Sequence, residues 1–148
     1  MIAASGPALR LAGYAALFGQ RDAGRDTIRR GAFARTLASR AGPLPLLWQH
    51  RPHQRIGWVE TLGEDERGLR VVARLDTADG GAALALQAGT VTGLSFGYAA
   101  RRFRPDAGGR ELLDIHLFEV SLVSTPMQHG ARVHLISPPQ RPVDGQFS

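Results

Sequence analysis

The sequence predicts an α+β fold, a mainly antiparallel β-sheet curled into a barrel-like form with two or three helices. Three observations lead there. Residues 69–75 alternate apolar and polar, with Leu69, Val71, Ala73 and Leu75 on one face and Arg70 and Arg74 on the other. Apolar runs that read as strands recur along the chain in pairs separated by polar turns. Two Gly- and Ala-rich stretches, near residues 31–39 and 79–89, have the length and end signals of short helices. Hairpins with helices inserted between them make an α+β domain with sheet strands close in sequence.

Taken in order, residues 9–18 read as a strand, 19–24 as a polar loop and 26–29 as a short extended piece. Residues 31–39 form a helix in which Phe33 and Leu37 share a face, and Gly42-Pro43 stops it. Residues 44–50 are an apolar strand with His50 at its C-terminal end, bounded by Arg51-Pro52. Residues 56–62 and 69–75 form a hairpin around the polar turn 63–68. The helix at 79–89 can be capped by Thr77 or Asp79 and ended by Gly89. A strand from residue 93 to about 103, a turn at 105–109 and a long strand over 111–124 make the last hairpin, which Pro126 closes.

The length of 148 residues implies one domain, over residues 1–137. Residues 138–148, with their Pro, Gln and Gly, read as a disordered tail. The absence of cysteine removes a disulfide framework, a zinc–thiolate site and a cysteine nucleophile. No apolar run approaches a membrane span, and residues 1–7 lack the pattern of a signal peptide. A cytoplasmic protein without a membrane partner is therefore expected. All 18 basic residues are arginine, and the formal net charge is +5. The arginines are scattered, with clusters only at Arg29-Arg30 and at Arg101, Arg102 and Arg104, so a nucleic-acid module is not predicted.

The chemistry concentrates on the stretch Gly93-Leu94-Ser95-Phe96-Gly97-Tyr98. Parity sets Leu94, Phe96 and Tyr98 on one face, and Gly93, Ser95, Gly97 and Ala99 on the other. Small residues around a hydroxyl leave space for a substrate to approach Ser95. They equally suit a sheet face covered by another element, with Ser95 as filler. A serine nucleophile needs a base and a group that orients the base. Of the five histidines, His50 ranks first because a strand end fixes its position beside a cleft, ahead of His53, His116, His129 and His134. For the orienting group, parity joins Glu119 to Ile115, Leu117, Ser121 and Val123, a carboxylate among mostly apolar neighbours. A histidine donor would make its charge tolerable there, and so would an arginine. His116 falls on the opposite face unless a bulge breaks the alternation. His50 and His53 are three apart, but Pro52 prevents a helical pair of metal ligands, and no phosphate loop or His-Glu-x-x-His motif occurs. No cofactor and no metal are expected.

Several stretches, in one order from about residue 10 to 134, resemble the prohead proteases of tailed bacteriophages, which mature the capsid. They include Gly13-Tyr14-Ala15-Ala16-Leu17-Phe18-Gly19, Arg30-Gly31-Ala32-Phe33 and Pro45-Leu46-Leu47-Trp48-Gln49-His50. Ile56-Gly57, Gly68-Leu69, the Ser95 stretch, the run from Phe118 to Pro126, and Gly130-Ala131-Arg132-Val133 complete the set. The family is related in fold to the herpesvirus assembly protease, so the resemblance implies an assemblin-like fold. It also implies a serine endopeptidase with His50 as base, Ser95 as nucleophile and Glu119 as third member, His116 being the competing assignment. The implied partners are scaffold and capsid protein of a phage, prophage or gene-transfer particle, met inside a procapsid assembling in bacterial cytoplasm. A homo-oligomer is consistent with the resemblance.

Overall fold

Leu69, Val71, Ala73 and Leu75 are buried and Arg70 and Arg74 exposed, as the alternation requires, in strand β5 (Gly68–Leu75) of the computed structural model, which describes residues 9–137. The expected tail at 138–148 lies outside the described residues. The other elements are β1 (Leu9–Leu17), β2 (Asp26–Ile28), α1 (Ala34–Ser39), β3 (Leu44–Trp48), β4 (Arg51–Glu64), α2 (Gly81–Ala88), β6 (Gly93–Asp106), β7 (Gly109–Val123) and β8 (Val133–Ser137). Their apolar faces enclose one core that includes Leu11, Phe33, Leu46, Val59, Leu86, Leu94, Ile115 and Leu122. Neither helix is long and apolar enough to cross a membrane.

The sheet departs from the expected barrel-like, mainly antiparallel form. It runs in the order β2-β7-β3-β4-β5-β1-β8, with β6 pairing β7 off that path, and it does not close into a barrel. It is also mixed, because β2 and β3 both pair β7 in parallel. The reason is the return of the chain. β7 receives β6 by a hairpin on one edge, but meets β2 and β3 only after long excursions. Parallel pairs need such crossovers, and strand-by-strand patterning carries no trace of them.

Local differences have local causes. Helix α1 starts at Ala34 rather than at residue 31, because the Glu64 carboxylate accepts the N–H groups of Gly31 and Phe33 (2.9 Å each) and holds them in a turn. Strand β4 begins at Arg51 despite Pro52. The β3–β4 register jumps from Trp48↔Arg51 to Leu47↔Arg55, and a proline is tolerated where the ladder is interrupted. Helix α2 ends at Gly89 in the left-handed conformation (φ 78°), as expected, but its N-cap is Gly80 rather than Thr77 or Asp79, and Thr77 Oγ1 accepts only the Gly80 N–H ahead of the helix. Strand β8 pairs β1 antiparallel at the end of the sheet, and the sequence patterning does not predict it.

Candidate active site

His50 does not end a strand. It is the second residue of a two-residue turn between β3 and β4, since Trp48 pairs with Arg51. Gln49 and His50 both have positive φ, 52° and 60°. That is the pattern of a type I′ hairpin turn, which favours Asn and Gly. Left-handed backbone at two ordinary residues costs about 1 kcal/mol or more each, and such strain gathers at functional sites.

Four hydrogen bonds hold the turn to β7 and to Ser124 just beyond it. Gln49 N–H donates to Leu122 O at 3.0 Å. The Gln49 amide grips Ser124 twice, Nε2 donating to Oγ at 2.7 Å and Oε1 accepting the backbone N–H at 3.1 Å. His50 N–H donates to Ser121 Oγ at 3.1 Å.

The turn thus brings the His50 ring over β7, where Nδ1 lies 2.7 Å from Glu119 Oε2. The other carboxylate oxygen, Oε1, accepts the Ser121 hydroxyl at 2.7 Å. The hydrogen bond to Glu119 raises the His50 pKa; burial opposes it by less, and the carboxylate's charge adds a still smaller rise. Among the described residues no arginine pairs with Glu119, so the salt-bridge alternative is not formed.

Glu119 reaches this position by a bulge. The β6–β7 register runs Ser95↔Ser121 and Gly97↔Glu119, then steps to Tyr98↔Leu117, leaving Phe118 unpaired and half exposed. Below the step Ile115 and Leu117 point into the core; above it Val120 and Leu122 do. Glu119 and Ser121 therefore do not share a face with Ile115 and Leu117, as unbroken alternation predicted. They share the face of Ser95 and Gly97. Gly97 stands directly opposite Glu119, and a Cβ there would collide with the carboxylate.

Ser95 lies across from Ser121, on the face that Glu119 and the His50 ring occupy. The small residues around it do not leave it open, as only 4% of Ser95 is exposed. Among the described residues, neither Ser95 Oγ nor His50 Nε2 makes a hydrogen bond, and none joins the two.

His116 is brought elsewhere. Its Nδ1 accepts from the Arg101 guanidinium at 2.7 Å, its ring meets Phe118 edge-on, and it lines a cavity of about 310 Å³ with Thr36, Leu37 and Arg40. Arg132 lies 3.5 Å from His129 Nδ1, and His134 packs edge-on to Tyr14. His53 is exposed in β4. The sequence gives no role to Ser121 or Gln49, and reads Gly97 as a small residue beside Ser95 rather than as the partner of Glu119. Each was within reach of a signal: Ser121 is two residues from Glu119, Gln49 precedes His50, and Gly97 sits two beyond Ser95.

A sheet with this strand arrangement has counterparts among solved structures. The Kaposi's sarcoma-associated herpesvirus protease, in complex with a hexapeptide phosphonate inhibitor, superposes with a TM-score of 0.61 at 16% identity, over 88% of this chain and 65% of that one. The varicella-zoster virus protease gives 0.59 at 18%, over 89% and 64%. The class is thus the herpesvirus-protease fold. The family model described as caudovirus prohead serine protease matches residues 3–142, and the chain belongs to that family. It is 35% identical over 94 residues to a prohead protease of Enterobacteria phage HK97, a match over 61% of this chain and 42% of that protein. It is 29% identical over 102 residues to a capsid polyprotein of Pseudomonas phage PAJU2, over 62% and 15%. The chain therefore spans less than half the length of the curated relatives it matches.

Proposed function

We propose that this chain is a serine endopeptidase that cleaves scaffold or capsid-protein segments inside an assembling procapsid, in the cytoplasm of a bacterial host. The observation that carries the reading is the His50–Glu119 pair at 2.7 Å on the face of Ser95. Membership of the prohead protease family supplies the substrate class.

With Nδ1–H donated to Glu119, His50 Nε2 keeps its lone pair. It takes the Ser95 proton as Oγ attacks the scissile carbonyl carbon, and the carbonyl electrons move onto oxygen. When the tetrahedral intermediate collapses, the C–N bond breaks and Nε2–H protonates the departing amine. Water, deprotonated by the same nitrogen, then releases the acyl group and restores Ser95. Glu119 balances the imidazolium charge in both steps.

One observation favours a second reading, an inactive structural protein of the particle: Ser95 is 4% exposed. A fluorophosphonate probe separates the two, since it needs an activated serine and no knowledge of the cleavage site. Stoichiometric labelling of the wild type that Ser95→Ala abolishes supports the enzyme. If neither the wild type nor the variant is labelled, and both leave a co-expressed capsid protein intact, the structural reading stands.

A further inference from the structure

We infer that Ser121 is a positioning residue for the catalytic base, resting on the assignment of His50, Ser95 and Glu119 above. Ser121 is fully buried, so it cannot meet a substrate. Its hydroxyl nevertheless touches both members of the base–carboxylate pair. It accepts the backbone N–H of His50 at 3.1 Å and donates to Glu119 Oε1 at 2.7 Å, while Glu119 Oε2 returns to the His50 ring at 2.7 Å.

These contacts close a ring with one direction. A backbone N–H can only donate, so Ser121 Oγ must accept from it. The single hydroxyl proton is then directed to Glu119 Oε1. That leaves Oε2 to accept from Nδ1–H, and the network assigns the tautomer with a free lone pair on Nε2. This is the nitrogen a general base uses toward Ser95. The ring also fixes the imidazole relative to a turn whose two residues hold left-handed backbone, a conformation that would otherwise relax. Ser121 pairs with Ser95 across the ladder, so one strand position sets the base's height above the nucleophile.

The test uses Ser121→Ala, Ser121→Thr and Ser121→Val with the fluorophosphonate labelling rate as a function of pH, each variant's fold checked by circular dichroism. Ser121→Ala is expected to label about tenfold more slowly, the factor one orienting hydrogen bond supplies. Its acid limb should move toward the ordinary imidazole range, because the carboxylate is freed to turn from Nδ1. The shift in the acid limb is the readout that loosened packing alone would not give. Ser121→Thr keeps the hydroxyl and should restore rate and pH profile; Ser121→Val, of the same shape, should not. A Ser121→Ala protein with wild-type rate and acid limb, alongside an unlabelled Ser95→Ala control, overturns the role of Ser121 and leaves the site standing. Undiminished labelling of Ser95→Ala removes the site and the inference together.

Discussion

His50 Nδ1 stands 2.7 Å from Glu119 Oε2, across 69 positions of sequence, because a strained two-residue turn tips the ring over β7. If that contact orients a base, Glu119→Gln presents an amide in place of one acceptor. Its labelling rate should fall by roughly 10²–10⁴, the range seen when a base loses its orienting acid. His116→Ala, whose ring faces Arg101 and Phe118, should stay within about twofold. The opposite ranking in a labelling time course would exchange the two residues' roles.

The pH dependence has a defined sign. Glu119 raises the His50 pKa above its usual value, so the neutral base is lost sooner as pH falls. Labelling should rise with pH through a midpoint above about 6.5, and Glu119→Gln should bring that midpoint down. The same pair links to stability. Its contribution is complete below the unfolded imidazole pKa and disappears as pH rises through the raised folded one. A wild-type acid limb centred below the ordinary imidazole range would contradict the hydrogen bond.

Gln49→Ala removes both side-chain bonds to Ser124 while leaving the positive φ in place. A loss of about 1–2 kcal/mol in urea denaturation is expected, with slower labelling in the protein that remains folded. Full stability in Gln49→Ala would mean that the turn does not need its clamp.

Gly97→Ala places a methyl group where the Glu119 carboxylate lies. The carboxylate must move, so labelling should drop about tenfold or more and the acid limb should shift down. Gly63→Ala is the control, since a Cβ at Gly63 meets open space. Equal behaviour of the two variants would show that the carboxylate accommodates the methyl.

Away from the site, Asp26 ties β2 to the β6–β7 hairpin. It accepts the Arg110 guanidinium through both oxygens (2.9 Å each) and the Tyr98 hydroxyl at 2.9 Å. The Arg110 hydrogen bonds hold the Asp26 pKa below its ordinary value, and burial followed by the Asp26 hydrogen bond pushes Tyr98 up to about 12. Asp26→Asn should cost about 1.5–3 kcal/mol near pH 7. The wild-type advantage is present above the unfolded aspartate pKa and fades as pH falls through the depressed folded one. Denaturation midpoints of the two proteins that stay parallel down to pH 2 would count against this pairing.

What the sequence determined by itself was local. The alternation of residues 69–75, the apolar character of the stretch 44–50, the small-residue face around Ser95 and the glycine after α2 are properties of neighbours, set by backbone geometry and burial. They were enough to find most of the strands, though not β8, and to single out His50, Ser95 and Glu119 for attention. Only the tertiary structure decided how these meet. The parallel pairing of β3 with β7 sets the His50 turn beside Ser121, and no hairpin rule predicts that crossover. The bulge at Phe118 turns Glu119 off the face that simple parity gave it, because one extra residue reverses every side chain beyond it. The left-handed backbone of Gln49 and His50 is likewise invisible in residues that do not favour it. It exists because Ser124, Ser121 and Leu122, distant in sequence, supply the hydrogen bonds that offset its strain.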